Sequence, residues 1–73
     1  MNGYKIRYIL EFIRRKGRLP RDVMGNVLGP DDLLAWYGLA ERLTQLEREY
    51  VKRELEAMVE AEMFIEQLGL EGR

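Results

Sequence analysis

Residues 17–36 read GRLPRDVMGNVLGPDDLLAW, and the glycines and prolines in this stretch decide where helices begin and end. Gly17 stands where a left-handed helix C-cap belongs, and Pro20 suits the first position of a new helix. A short helix is therefore predicted over residues 20–28, weakened in its middle by Gly25. The apolar residues that we expect it to direct inward are Val23, Met24, Val27 and Leu28.

The second signal in this stretch is Gly29-Pro30, followed by Asp31-Asp32. Proline is accepted in the first turn of a helix, and two carboxylates there are stabilised by the exposed amides and the positive end of the helix dipole. Another helix is therefore predicted to begin at this point.

The region from Leu33 to Leu68 contains no proline and only one internal glycine, Gly38, so it could form a single long helix. The sequence Thr44-Gln45-Leu46-Glu47 offers a break instead, because a threonine followed three residues later by a glutamate has the form of a capping box. Both alternatives remain open at this point. Gly69 is expected to end the last helix.

The segment before Gly17 predicts an amphipathic helix with a wide apolar face. Aliphatic residues recur at helical spacing, and aromatic residues add a second stripe beside them. The first stripe is formed by Ile6, Ile9, Leu10 and Ile13, and the second by Tyr4, Tyr8 and Phe12. Together these patterns predict an all-α fold of three to four helices, with a short N-terminal helical pair and a long C-terminal helix, in a single domain over residues 1–73.

The composition restricts the chemistry that is available. A chain of 73 residues forms one small domain, which buries only about 60% of the surface exposed in its unfolded state. Without cysteine or histidine, disulfides, histidine-dependent catalysis and ordinary zinc sites are excluded or nearly so. We therefore expect no enzyme activity, no catalytic residue, no cofactor and no metal. Since no apolar run approaches a membrane span, we expect a cytoplasmic protein without a membrane partner.

Charge is distributed unevenly along the chain. Residues 1–21 carry seven cations and one acid, a net charge of +6, whereas residues 22–73 carry five cations and twelve acids, a net charge of −7. Glutamates near the C-terminal end of the last helix are disfavoured by the helix dipole and by each other. We expect a basic cluster to lie against them, in the same subunit or in a neighbour. The cluster is Arg14, Arg15, Lys16 and Arg18, and the glutamates are Glu60, Glu62 and Glu66.

The order of helices also resembles the tri-helical core of DNA-binding proteins. In that fold the helix after the turn enters the major groove by its N-terminal residues, which are here Asp31 and Asp32. Two carboxylates at this position would oppose the phosphates on whose charge DNA affinity mainly depends. A small DNA-binding regulator that uses the basic N-terminal region is therefore a less favoured alternative.

A second resemblance covers residues 17–48, less than half of the chain. Its segments are Gly17-Arg18, Asp22-Val23-Met24, and Asp32-Leu33-Leu34-Ala35-Trp36 followed by Tyr37 and Leu39. These segments resemble the small tail assembly chaperones of long-tailed bacteriophages, the lambda T-like proteins. The sequence departs from the family pattern in two places, because its turn is Gly29-Pro30 with one extra residue and the family's Pro-Phe-Gly break is replaced by Thr44-Gln45-Leu46.

The resemblance implies a non-enzymatic viral protein of the host cell cytoplasm that binds the long helical tape-measure protein and helps tail subunits to polymerise around it. Protein binding and self-association also fit the wide apolar stripes and the methionines, whose side chains adapt to irregular surfaces. A homo-oligomer is expected. A small viral inhibitor that binds a host enzyme through its acidic face is a further alternative. The candidate partner-binding residues, each of which could instead belong to the core, are Trp36, Tyr37, Met58 and Met63.

Overall fold

Three α-helices make up most of the chain in the computed structural model, which describes residues 3–71. Helix α1 spans Gly3–Arg15, α2 spans Pro30–Trp36 and α3 spans Gln45–Glu71, with one short 3₁₀ turn at Ala40–Arg42. Within residues 3–71 there is no β-strand beyond one isolated bridge. The fold is therefore all-α with a long C-terminal helix, as the sequence predicts.

Helix α1 packs through the aliphatic stripe that its sequence predicts. All four residues of that stripe are buried, and Ile13 has no exposed surface. Of the aromatic stripe, Phe12 is half-buried, while Tyr4 and Tyr8 are exposed to solvent. The helix ends at the predicted glycine, because Gly17 has a φ of 81°, a left-handed conformation that only glycine adopts without strain.

The prediction of a helix over residues 20–28 is wrong. The segment is a tight loop closed by an antiparallel bridge between Arg21 and Val27. The Asp22 side chain accepts hydrogen bonds from the backbone amides of Met24 (2.9 Å) and Asn26 (3.0 Å), and these bonds replace those of a helical turn. As a result, Met24 and Val23 are exposed rather than directed inward.

The remaining two apolar residues of this loop, Val27 and Leu28, are partly buried against the core. The helix predicted after them begins at Pro30, with both aspartates in its first turn. The dipole therefore acts on Asp31 and Asp32 as the sequence indicates.

Of the two alternatives for the C-terminal region, the break at Thr44 is right. Helix α2 ends at Trp36, and the chain reverses at Gly38, which has a φ of 70°. The Thr44 hydroxyl then accepts the Glu47 amide at 3.2 Å, and the Glu47 carboxylate accepts the Thr44 amide at 2.9 Å, which completes the capping box. At the other end, α3 passes through Gly69 and ends at Glu71, so the predicted stop at Gly69 is wrong by two residues.

The core lies between α1, α2 and the N-terminal half of α3. Helix α3 contributes Val51 and Leu55, both fully buried, with Met58 and Val59 partly buried at the edge. The full set of buried apolar residues is Ile6, Ile9, Leu10, Ile13, Leu19, Leu33, Leu34, Leu43, Val51 and Leu55. The C-terminal half of α3 continues past this core, and the molecule is accordingly elongated, with extents of 44 × 23 × 18 Å.

Candidate protein-binding site

The C-terminal half of α3 exposes several large apolar side chains. Phe64 is 62% exposed and Ile65 is 67% exposed, and Met63 and Leu68 are each at least half exposed. Phe64, Ile65 and Leu68 lie within two turns of one helix and together form an exposed apolar surface, and surfaces of this kind mark interaction sites on small soluble domains. They are exposed because α3 is longer than α1 and α2 and extends past the elements that could cover it.

A groove between α1 and α3 adjoins this surface. Its volume is about 550 Å³, and its apolar lining comes from both helices and from Leu19 in the loop that follows α1. Charged residues stand along its edges, while its interior is mainly hydrocarbon. The lining residues of this α1–α3 groove are Ile13, Arg14, Gly17, Arg18, Leu19, Met58, Ala61, Glu62, Ile65 and Glu66.

Polar contacts from α3 hold the loop of residues 17–29 in place and so form one wall of the groove. Glu62 accepts the backbone amide of Leu19 at 2.9 Å and the guanidinium of Arg21 at 3.2 Å. Arg21 also binds the Glu66 carboxylate, and this hydrogen bond raises the pKa of Arg21. Arg18 lies 3.8 Å from the same Glu66.

The predicted charge cluster is divided in the structure. Arg18 meets Glu66, whereas Arg14 pairs with Glu11 of its own helix at 3.2 Å. Lys16 lies 4.9 Å from the centre of the Phe12 ring, in cation–π geometry. Arg15 and Glu60 are both exposed and are not brought together by the fold. The main partner of the glutamates is instead Arg21, which sequence reasoning placed in the predicted short helix and did not assign to them.

The four predicted partner-binding residues do not form one surface. Met58 lines the α1–α3 groove, whereas Met63 faces the loop side of α3 beside Val27. Tyr37 packs edge-on against Phe12, with ring centroids 5.9 Å apart. Burial raises the pKa of the Tyr37 hydroxyl, and the negative charge of Glu62 adds to this effect.

Trp36 belongs to a different exposed patch. It is 64% exposed and shares a shallow depression with Val23, Leu28 and Ala35. Asp32 stands at the edge of this depression. Three charged residues, Arg21, Asp22 and Asp32, line this depression, and its apolar lining is less extensive than that of the α1–α3 groove. The groove is therefore the stronger candidate for a binding surface.

Sequence reasoning missed Ile65, Phe64 and Leu68 as surface residues. A signal was available, since Ala57, Ala61, Phe64 and Leu68 follow a 4,3,4 spacing on a face that lies away from the core stripe of Val51 and Leu55. When a helix has two apolar stripes and one of them packs on the core, the other stripe stays exposed.

The part of the chain that the structure describes shows neither a cluster of metal ligands nor a membrane span. Among residues 3–71, no three acidic side chains converge in a way that could hold a metal ion. In the same span, none of the helices combines the length and apolar character needed to cross a bilayer. No protein-family model, curated protein or solved structure matches this chain.

Proposed function

We propose that the chain is a non-enzymatic protein that binds an α-helix of a client protein in the α1–α3 groove. The observation that carries this proposal is the continuous apolar surface formed by the groove and by the exposed Phe64 and Leu68 beside it. An apolar groove beside a helix is a recurring docking site for an amphipathic helix, which anchors itself by residues at positions i, i+3, i+4 and i+7.

The dimensions of the groove suit a short helical segment. From Met58 to Leu68, α3 rises by about 15 Å, which matches about three turns of a partner helix. Met58 lies on the floor of the groove, where its flexible thioether can adapt to partner side chains of different shape. The wall formed by the loop of residues 17–29 is tied to α3 through Arg21, so the groove is preformed rather than assembled on binding.

Within this class, a phage tail assembly chaperone is the most concrete proposal. The resemblance of residues 17–48 to that family implies a client that is long and helical, namely the tape-measure protein. A groove for one helix segment would then be used many times along such a client. In this proposal the protein acts in the host cell cytoplasm and has no catalytic role.

The test is affinity capture from lysate of the source cells with the tagged protein, followed by mass spectrometry. We expect the wild-type protein to recover a long helical tail protein. Ile65→Glu places a charge on the groove wall, and we expect it to lose this client. Since Ile65 is exposed, the variant should keep its helical circular dichroism and its melting temperature.

Met24→Glu is the matched control, because Met24 is 80% exposed on a turn outside the groove. It should capture the client as the wild type does. Recovery of nucleic acid that is released by salt, without a protein client, would contradict the proposal and favour the DNA-binding alternative. Recovery of a single host enzyme instead would favour the inhibitor alternative.

A further inference from the structure

We propose that the exposed face of α1 in one copy of the chain docks on the exposed face of α3 in a second copy. The α3 face consists of Ala57, Ala61, Phe64 and Leu68, which follow a 4,3,4 spacing. Ala57 and Ala61 are exposed, as are Phe64 and Leu68, and α3 extends past the core at the last two residues.

Helix α1 has an exposed face with the same spacing. Its residues Tyr4, Tyr8, Glu11 and Arg15 also follow a 4,3,4 pattern on the side opposite the buried Ile9 and Ile13. Tyr8 is 73% exposed, and Arg15 and the neighbouring Arg7 are exposed as well. The face is therefore aromatic and basic.

The two faces match in an antiparallel arrangement. Because both stripes are spaced 4,3,4, one register aligns all their members, as in the seam of a coiled coil. Tyr8 then meets Phe64 as an aromatic pair, and Arg15 lies beside Ala57 between Glu56 and Glu60. The opposed pairs are Arg15 with Ala57, Glu11 with Ala61, Tyr8 with Phe64, and Tyr4 with Leu68.

Charge favours this arrangement over one in which α3 of one copy pairs with α3 of another. Residues 54–71 contain six glutamates and neither lysine nor arginine. Two copies of this segment side by side would repel each other, whereas Arg7 and Arg15 of α1 supply the opposite charge. The exposed face of α1 cannot contact α3 of the same subunit, because α1 already packs against Val51 and Leu55 of that α3 through its buried face. A second copy therefore fits this face best.

The contact competes with the client. Ala61 belongs both to this face and to the α1–α3 groove, and Ile65 lies directly beside it. A single pair of short helices falls among the small interfaces, below about 1,200 Å² of total buried surface, so the association is weak and reversible. A client helix can displace the second copy for that reason, although the self-contact itself does not depend on the client.

The test is sedimentation velocity of the purified chain over a wide range of concentrations. We expect the wild type to associate, and Tyr8→Glu and Phe64→Glu each to weaken association at least about tenfold, equivalent to about 1.4 kcal/mol. Raising the salt concentration should also weaken it, because the Debye length shortens. Met24→Glu, on a turn far from both faces, should associate as the wild type does.

The decisive sample is an equimolar mixture of Tyr8→Glu and Phe64→Glu. Each variant keeps one intact face, so the mixture should form a one-to-one complex at concentrations where each variant alone stays monomeric. A mixture that stays monomeric would overturn the proposal, as would a Tyr8→Glu variant that associates like the wild type. A wild type that is monomeric at every concentration would overturn it too, without bearing on capture of a client from lysate.

Discussion

At the scale of single residues, Glu47 connects two parts of the chain that are far apart in sequence. One carboxylate oxygen accepts the Thr44 amide at the start of α3 and also the Lys5 ammonium of α1, at 3.0 Å. Glu47 is buried, and these partners compensate the cost of removing its charge from water. The hydrogen bond from the Thr44 backbone lowers the pKa of Glu47, and the Lys5 contacts lower it further.

The lowered pKa of Glu47 predicts an acid-sensitive fold. Its contribution to stability is complete above the ordinary pKa of 4.5, which applies in the unfolded chain, and is lost as the pH falls through the lower pKa of the folded state. Chemical denaturation at a series of pH values should therefore show that the free energy of unfolding decreases below about pH 4.5. Glu47→Gln should flatten this part of the profile, whereas Glu49→Gln, on the exposed side of the same turn, should leave it unchanged.

The capping hydroxyl of Thr44 gives a separate prediction. Thr44→Ala removes the acceptor of the Glu47 amide and should cost about 1 kcal/mol, the usual value of an N-cap. For a chain of this size that loss lowers the melting temperature by about 4–8 °C. Thr44→Ser keeps the hydroxyl and should melt near the wild type in thermal circular dichroism. Equal losses in both variants would show that the hydroxyl does not act as a cap.

The sequence predicts some of these residue roles and not others. The capping box of Thr44 and Glu47 is local, so a four-residue pattern contains all the information that it needs. The Lys5 contact joins residues 42 positions apart and depends on how α1 packs against α3. The turn at Asp22 was also local, and an aspartate followed by Gly25 and Asn26 is a turn signal that the helix prediction overlooked.

At the scale of elements, the loop of residues 17–29 has little core of its own. Leu19 is its one buried apolar residue, and Arg21 is its main attachment to α3, through Glu62 and Glu66. The sequence could not predict this pairing, because six other cations precede Arg21 within α1 and the turn after it. Which of these cations meets the glutamates depends on the path of the loop, and the predicted helix gave a different path.

Removing the charge of Arg21 should loosen the loop of residues 17–29 while the helices stay folded. In Arg21→Gln we expect faster hydrogen exchange at the amides of Asn26 and Leu28, which donate to the Asp22 carboxylate and to the Pro20 carbonyl within the loop. Amides in the middle of α1 and α3 should be unaffected. The control is Arg53→Gln, which removes an exposed cation from α3. Uniformly faster exchange across all helices would mean that Arg21 supports the whole fold.

The two halves of helix α3 differ in burial, and substitutions in each half should differ in their effect on the free energy of unfolding. Leu55→Ala leaves a cavity in the core and should cost about 2–5 kcal/mol in chemical denaturation. Phe64→Ala removes a larger side chain from an exposed position and should change stability by no more than about 0.5 kcal/mol. A loss of stability in Phe64→Ala comparable to that in Leu55→Ala would show that the C-terminal half contributes to the core.

At the scale of the whole molecule, a positive N-terminal part and a negative C-terminal part share one elongated shape. The predicted helical class follows from composition and periodicity, which is why it is confirmed. The arrangement of surfaces is harder to predict from the sequence. The distance by which α3 extends past the core depends on the lengths of α1, α2 and the loop between them. For that reason Met58 and Met63, five residues apart in the sequence, lie on different sides of α3.

The proposed self-association through α1 and α3 would make the stability of the fold depend on protein concentration. Binding between folded copies favours the folded state, so the melting temperature of the wild type should rise with protein concentration. The melting temperature of Tyr8→Glu should stay constant over the same range. Scanning calorimetry or thermal circular dichroism in short-path cells can measure both. A wild-type melting temperature that does not change with concentration would count against the self-contact.

The early end of the core within α3 also has an evolutionary consequence. The apolar core residues of α3 stop near Val59, and beyond them Glu62 and Glu66 still hold the loop of residues 17–29, while Phe64 and Leu68 are exposed. Mutations at exposed apolar positions such as Phe64 and Leu68 can therefore accumulate with little penalty in folding, and under the proposed function selection at these positions would act on binding. Such a chain can follow a changing partner through many small steps, and its lineages would diverge fastest at the tip of their longest helix.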